Sequence, residues 1–419
     1  MKTFIQTTLI SFFALMALSA VAQDDAALLK KAKKIHEKAF TLDTHADTPM
    51  LLSRGGFDIT KDNDARATNS KVDYPRMKRG GLDAIFFAVY LGQGPRTPEA
   101  HEAAKKRALG IFDAINTTLK STSELAELAT TPDDAYRIGK TGKRVIFLGV
   151  ENGYAMGHDL SMLQKFYDLG TRYMTLCHSS NNDICDSSTD HKGAEYQGLS
   201  PLGEQVVKEM NRLGMIIDVS HISDSTFYDV IRLSKVPIVA THSGARAICN
   251  HPRNLTDDML KALAKNGGVI QLNLLSDYIK TIPPSPEREA AMKVLYEKYN
   301  IKDRRGMMTL PEAEQQKARA EFTELNKKYP IQLATVKDAI DHIDHIVKLI
   351  GIDHVGMGAD FDGGGALADC FDVSQYDNMT VELVRRGYSK KDIEKIWSGN
   401  FFRVMKAVDK GKTRELSLK

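Results

Sequence analysis

Leu42-Asp43-Thr44-His45-Ala46-Asp47 ends a short apolar run with a histidine and an aspartate two residues apart. In an extended strand residues i and i+2 project from one face, so His45 and Asp47 can hold one metal ion between them. A His-x-Asp pair alone arises by chance in chains of this length, and its weight depends on the ligands supplied by the rest of the chain. From Phe40 onward short β-rich runs alternate with amphipathic helical stretches almost to the end of the chain, the pattern of parallel strands joined by crossover helices. The expected strands are Phe40 to Asp43, Ala84 to Leu91, Val145 to Val150, Arg172 to Leu176, Met215 to Val219, Ile238 to Thr241, Val269 to Leu274 and Val355 to Gly358. Helical patterns fill the gaps at Glu99 to Thr117, Pro201 to Leu213, Asp224 to Leu233, Asp257 to Lys265 and Val336 to Leu349, and two closing helices are expected over Ser374 to Arg385 and Lys390 to Lys406. Eight such strands define an α/β fold of the (β/α)8, TIM-barrel type.

One stretch breaks the rhythm. Residues 281 to about 333 begin with Pro283-Pro284-Ser285-Pro286 and continue as a highly charged helical segment. With few apolar positions for a core of its own, it reads as a helical insertion before the last strand of one barrel domain, residues 23–419. It would cover the barrel mouth, supply a subunit contact, or be a solvated excursion with no part in the chemistry.

In a TIM barrel the reactive groups stand at the C-terminal ends of the strands. The first expected strand delivers His45 and Asp47, the third Glu151, the fourth His178, the fifth His221, the sixth His242 and the eighth Asp360 and Asp362. Only 12 histidines are present, so their recurrence at strand ends turns a weak pair into a metal site. Imidazole and carboxylate donors without thiolate suit zinc, and also manganese, cobalt or iron. Five ligands exceed what one catalytic zinc needs and fit two ions sharing a carboxylate, for which Glu151 is long enough. Two ions roughly 3.5 to 4 Å apart can hold a hydroxide that acts as nucleophile at neutral pH. The plainer readings are that Glu151 pairs with Lys143 or Arg144, and that His221 and His242 cap strands or bond backbone. His342 and His345 have a ligand-like spacing but lie mid-helix, facing solvent or a neighbouring helix; His101, His158, His191, His251 and His354 read as structural or exposed.

The first residues carry Lys2, an apolar stretch from Leu9 to Ala17, and Ala20-Val21-Ala22 before Gln23, the pattern of a secretory signal over residues 1–22. A secreted or periplasmic location is the resulting expectation. The apolar stretch is too short to span a bilayer, no later segment reads as a membrane helix, and the charged end from Lys410 to Lys419 is no lipid-transfer tail. Net charge is +3, and +2 once Lys2 leaves with the signal, too balanced to suggest nucleic acid; a small-molecule substrate is expected. Cys177, Cys185, Cys249 and Cys370 are too few for a disulfide scaffold, and their spacing selects no pairing.

Asp43-Thr44-His45-Ala46-Asp47, Gly149-Val150-Glu151-Asn152-Gly153, Arg172-Tyr173-Met174-Thr175-Leu176-Cys177-His178-Ser179, Leu213-Gly214-Met215-Ile216-Ile217-Asp218-Val219-Ser220-His221, Thr241-His242-Ser243, Pro252-Arg253-Asn254, Gly358-Ala359-Asp360-Phe361-Asp362-Gly363 and Gly399-Asn400 together resemble the membrane, or renal, dipeptidases, peptidase family M19 of the metal-dependent hydrolases. The resemblance covers roughly Thr41 to Tyr278 and Ile352 to Val404, leaving the insertion outside. It implies two zinc ions, one held by His45, Asp47 and Glu151 and the other by Glu151, His221 and His242. It further implies that His178 polarises the scissile carbonyl, that Arg253 binds the substrate, that Asp360 moves protons, and that Tyr278 contacts the substrate. A dipeptide is the implied substrate and a homodimer the implied assembly. The lipid anchor and paired cysteines of the mammalian members do not carry over, since only Cys249 falls at one of the cysteine positions.

Two other readings compete. A lactonase-like or phosphotriesterase-like amidohydrolase would bridge its metals with a modified lysine at the fourth strand, where this chain has His178. A non-catalytic periplasmic metal- or peptide-binding protein would be favoured by a missing ligand, Asp360 or Arg253, and none is missing.

Overall fold

The computed structural model describes residues 25–412 apart from 304, 305, 308 and 309, so the signal read at 1–22 and the end of the charged tail lie outside the described residues. The strands are β1 (Leu42–Ala46), β2 (Ala84–Tyr90), β3 (Ala126–Leu128), β4 (Arg144–Glu151), β5 (Thr171–Thr175), β6 (Ile216–Asp218), β7 (Val239–Ser243), β8 (Val269–Leu272) and β9 (Val355–Met357). Eight of them run parallel in the order β1-β2-β4-β5-β6-β7-β8-β9. The segment after β9 closes the ring on β1: the Asp360 N–H donates to the His45 carbonyl at 3.1 Å and the Asp47 N–H to the Phe361 carbonyl at 2.9 Å. The expected TIM-type barrel is therefore present, and its seam carries three of the candidate site residues.

β3 was not among the expected strands. It pairs with the start of β4, from Arg144 to Ile146, below the point where β5 joins at Leu148. Three residues, Ala126-Glu127-Leu128, are too few to show an alternation.

The crossover helices follow their sequence signals closely. Helix α1 spans Pro98–Ser121, α2 Pro201–Leu213, α3 Asp224–Leu233 and α4 Asp257–Lys265. Ser200, Ser223 and Thr256 cap α2, α3 and α4 by accepting the N–H of Gly203, Thr226 and Met259, satisfying donors that a helix start leaves bare. Gly214 ends α2 at φ 76°, a left-handed conformation a glycine adopts without strain.

Between β8 and β9 the insertion forms α5 (Pro286–Lys298) and α6 (Glu312–Lys328), followed by the crossover helix α7 (Val336–Ile350). The insertion does build a small core: Leu295, Met307, Ala318 and Phe322 are buried together, with Met292, Tyr299, Ile301, Leu310 and Leu325 against them. That corrects the expectation of too few apolar positions. Each helix contributes only a narrow apolar edge, which the surrounding charge obscures until the two are paired. Its two ends meet at Ser276, whose hydroxyl donates to the Ala366 carbonyl at 2.7 Å and accepts the Ala334 N–H at 3.1 Å.

Side chains from seven consecutive barrel strands, among them Leu42, Phe86, Phe147, Tyr173, Ile216, Val239 and Val269, share one buried cluster with Phe401 and Phe402 of the last helix, α9 (Asn400–Gly411), which follows α8 (Asp377–Arg385). Only the barrel interior lets side chains from so many strands meet, so these positions point inward. The alternate set, including Ile85, Phe87, Ile146, Leu148, Ile217 and Ala240, packs in the larger cluster with the surrounding helices. Along β4 the inward set continues from Val145 and Phe147 through Gly149 to Glu151, the candidate bridging carboxylate. His45 and His242 do not fall on the inward parity of their strands. Register shifts between Asp43 and Ala46 on β1, and between Ala240 and Ser243 on β7, turn them toward the axis.

Candidate metal centre

Glu151 stands at the middle of the site and is 2% exposed. Its Oε2 lies 3.3 Å from His45 Nε2, while Oε1 lies 3.2 Å from His221 Nε2 and 3.5 Å from His242 Nε2. Asp47 Oδ2 and Asp360 Oδ1 approach His45 Nε2 at 3.9 and 4.0 Å, and His178 Nε2 approaches Glu151 Oε1 at 3.7 Å. Three groups of potential ligands overlap here: His45, Glu151 and His242; Glu151, His178 and His221; and His45, Asp47 and Asp360. The structure thus brings together all the sequence-predicted metal ligands, with His178 and Asp360 at the same centre. Lys143 and Arg144 pair elsewhere, with Glu127 and Asp83, so the ion-pair reading of Glu151 is overturned.

The loops that present these groups are strained at the site. His221, Asp360 and Asp362 have φ of 71°, 63° and 67°, and Asn152, next to Glu151, has 76°. Left-handed backbone costs a non-glycine residue free energy and clusters where function demands a particular direction.

Two imidazoles are held in a definite tautomer. The Tyr173 hydroxyl donates to the Thr44 carbonyl at 3.1 Å, so it accepts at 2.9 Å from His45 Nδ1–H. The Thr241 hydroxyl donates to Asp218 Oδ2 at 2.6 Å, so it accepts at 2.8 Å from His242 Nδ1–H. With Nδ1 carrying the proton, each Nε2 turns a lone pair to the centre, the arrangement outer partners impose on metal-binding histidines. Asp218 is locked in turn by the N–H groups of Ser220 and Thr241 and by the Thr175 hydroxyl. Tyr173 has room only because Gly149 lacks a side chain: a Cβ there would sit 2.1 Å from the ring. Tyr173→Phe removes the acceptor for His45 Nδ1–H and is expected to weaken metal binding about 10–100-fold, measured by competition with a chromophoric chelator. Unchanged affinity would mean that Tyr173 only packs.

The electrostatics call for cations. Burial would depress His45, but Glu151, with Asp47 and Asp360, pushes it up to about 10, so that without a cation Nε2 takes up a proton where a metal would sit. Burial and then the Glu151 charge hold Asp47 well above the usual carboxylate range, and burial pushes Asp360 up to about 6. His242 is driven down to about 3 by burial and by His45, and His221 falls well below its ordinary value through burial and Arg253. Three buried carboxylates thus face one another with only histidines as ion-pair partners within 4.0 Å among the described residues. Buried charges left this way are costly unless paired or bound to metal. Consistent with that, His45 Nε2, Asp47 Oδ1 and Glu151 Oε2 are buried without hydrogen-bond partners. Donors about 2.0–2.1 Å from a common ion sit about 2.9–3.4 Å apart, close to the shorter separations seen here. The residues fit a pair of divalent ions sharing Glu151.

Around this centre lie the other predicted residues. The His178 ring packs 4.2 Å from that of His221 and edge-on to Tyr90 at 4.8 Å, and burial lowers its pKa. Ser187 holds its loop by donating to the His178 carbonyl at 2.6 Å. Arg253 is buried; Nη2 donates to the His242 carbonyl at 3.0 Å and Nε has no hydrogen-bond partner. Its guanidinium lies 5.4 Å from the centre of the Tyr278 ring, placing that residue beside the site. Asn273 donates to Asp360 Oδ2 at 3.1 Å, leaving Oδ1 toward His45.

Tyr173, Thr241, Asp218 and Asn273 were missed as site residues. A signal was present for the first three: polar groups inside otherwise apolar strands have to be bonded to something. For His342 the structure decides between the two expected settings, solvent and a neighbouring helix. It is fully buried against the short helix Ser276–Ile279, accepting the Ala245 N–H at Nδ1 and bonding the Ile279 carbonyl at Nε2, a structural tie. All four cysteines are buried free thiols.

A parallel barrel whose rim gathers imidazoles and carboxylates around a shared glutamate is the architecture of a metal-dependent hydrolase. Residues 29–417 match the membrane dipeptidase family, peptidase family M19, and the chain belongs to it. Dipeptidase tcpJ of Claviceps purpurea (strain 20.1) is 30% identical over 375 residues, 88% of this chain and 76% of that one. Dipeptidase verJ of Clonostachys rogersoniana is 29% identical over 390 residues, 91% of this chain and 87% of that one. Among solved structures, the probable dipeptidase PvdM from Pseudomonas aeruginosa superposes with a TM-score of 0.80 at 30% identity, covering 92% of this chain and 99% of the other. The metallo-dipeptidase class that the resemblance implies is thereby shown.

Proposed function

We propose that the protein is an exported dinuclear zinc dipeptidase that hydrolyses the single peptide bond of dipeptides, including those with a D-residue in second place. The observation that carries the reading is the division of Glu151, one oxygen toward His45 and the other toward His221 and His242. His45, Asp47 and Glu151 would hold one ion, and Glu151, His221 and His242 the other. Two such ions would supply a lowered pKa of bound water, giving a nucleophile at neutral pH, and Lewis-acid polarisation of the carbonyl. Zinc suits the N and O donor set.

The chain's own residues do the rest. His178, at the open side of Glu151, donates an N–H to the carbonyl oxygen as negative charge develops there. Arg253, already fixed by the His242 carbonyl, offers its planar fork to the free carboxylate of the substrate, with Tyr278 beside it. Asp360, pinned by Asn273 through one oxygen, takes the proton of the attacking water with the other and passes it to the leaving amine. The signal at residues 1–22 supports export, and the L,D extension is prompted by a metallo peptidase from Rhodobacter sphaeroides, 24% identical, that was solved with a phosphinate mimic of the dipeptide L-Ala-D-Ala. No helix among the described residues is long and apolar enough to cross a membrane.

The test is a panel of L,L- and L,D-dipeptides, tripeptides and longer peptides, assayed before and after chelation and zinc readdition, alongside elemental analysis. Dipeptide cleavage that disappears on chelation and returns with zinc, with at least two ions bound per chain, is expected. Hydrolysis that survives chelation would overturn the metal reading, L,D-dipeptides that are never cleaved would overturn that extension, and a secreted form not beginning at Gln23 would overturn the export site.

A further inference from the structure

A second cluster of metal-type ligands lies apart from this centre. His101, in the first turn of α1, places Nε2 3.0 Å from Asp183 Oδ2; His158, in the loop after β4, places Nε2 3.2 Å from Asp183 Oδ1. The three ligand atoms lie within 4.8 Å of one another. We propose that His101, His158 and Asp183 form a binding site for one further divalent transition-metal ion of the zinc class.

The donor set is two imidazoles and a carboxylate, three protein ligands of the kind that leave a position open for water on zinc. The two nitrogen–oxygen separations match the edges of a coordination shell with bonds of about 2.0–2.1 Å. Each carboxylate oxygen faces a different imidazole, so one ion between the three engages every group without rebuilding a loop. His101 is buried while the side chain of His158 is 65% exposed, which gives the ion a route from solvent. The nearby cations are already countered. Arg96, 4.0 Å from Asp183 Oδ1, makes two bonds to Glu195 at 3.1 and 2.6 Å, and Lys105 pairs with Glu102 and Asp159.

The ligands come from the connections that follow β2, β4 and β5. Asn182, adjacent to Asp183, donates to the Asn152 side chain at 3.0 Å and to the Leu176 carbonyl at 2.8 Å. An ion here therefore ties the loop carrying His178 to the loop leaving Glu151, remote in sequence but neighbours at the barrel rim.

The decisive measurement is zinc stoichiometry at micromolar free metal for the full protein, His158→Ala, Asp183→Asn and His191→Ala, the last a control on a neighbouring exposed histidine. The wild type and His191→Ala are expected to bind one ion more than His158→Ala and Asp183→Asn. Because the readout is a difference of one, it stands whether or not the catalytic centre holds two ions. Equal stoichiometry in all four proteins would overturn the proposal, as would a loss shared by His191→Ala.

Discussion

Glu151→Gln is expected to take the metal centre apart, reducing bound zinc by at least one ion per chain relative to wild type and lowering kcat/KM by ~10³-fold or more. Glu151 is the one residue whose two oxygens face opposite halves of the site, at 3.3 Å from His45 on one side and 3.2 and 3.5 Å from His221 and His242 on the other. Glutamine has nearly the same shape but only one oxygen, and its amide nitrogen presents donors where the second ion needs a lone pair. It also removes a negative charge from a buried site whose remaining carboxylates, Asp47 and Asp360, cannot reach His221 and His242 in its place. Elemental analysis and steady-state kinetics on one preparation, with circular dichroism to verify folding, decide the matter. A folded variant that keeps the wild-type zinc content and turns over within about tenfold of wild type would show that Glu151 is not the bridge.

Asp360→Asn is expected to separate binding from chemistry. Asparagine keeps the size of the side chain, accepts from Asn273 as Asp360 does, and is among the residues that tolerate the left-handed φ of 63° found there. What it cannot do is take and release a proton. Loss of a positioned acid–base group costs about 10²–10⁴-fold, so kcat should fall by that factor while zinc content stays that of wild type. Near-normal turnover would remove Asp360 from proton transfer. Loss of an ion would make it a ligand instead, a role its 4.0 Å approach to His45 allows.

Much of this site was legible in the chain because barrel chemistry tracks local periodicity. Eight apolar runs separated by helical patterns set the strand order, and the residue types that recur at their ends, from His45 and Asp47 to Asp360, named the chemistry before any contact was known. The helices Pro201–Leu213, Asp224–Leu233 and Asp257–Lys265 were readable to the residue because caps and apolar spacing are properties of neighbouring positions. β3 was not readable, since three residues carry no period, and the small core of the insertion emerges only when two weakly apolar helices face each other.

The sequence by itself determined the fold class and the identity of the groups that meet at the barrel rim, since these depend on spacing along the chain, and its motifs carried the resemblance to the family. Only the tertiary structure decided how those groups are aimed. The register shifts that turn His45 and His242 inward, the left-handed turn at His221, and the Tyr173 and Thr241 hydroxyls that leave each Nε2 free arise between strands far apart in sequence. The same holds for the cluster of His101, His158 and Asp183, three residues without a spacing pattern, which become neighbours because the barrel brings the ends of β2, β4 and β5 side by side.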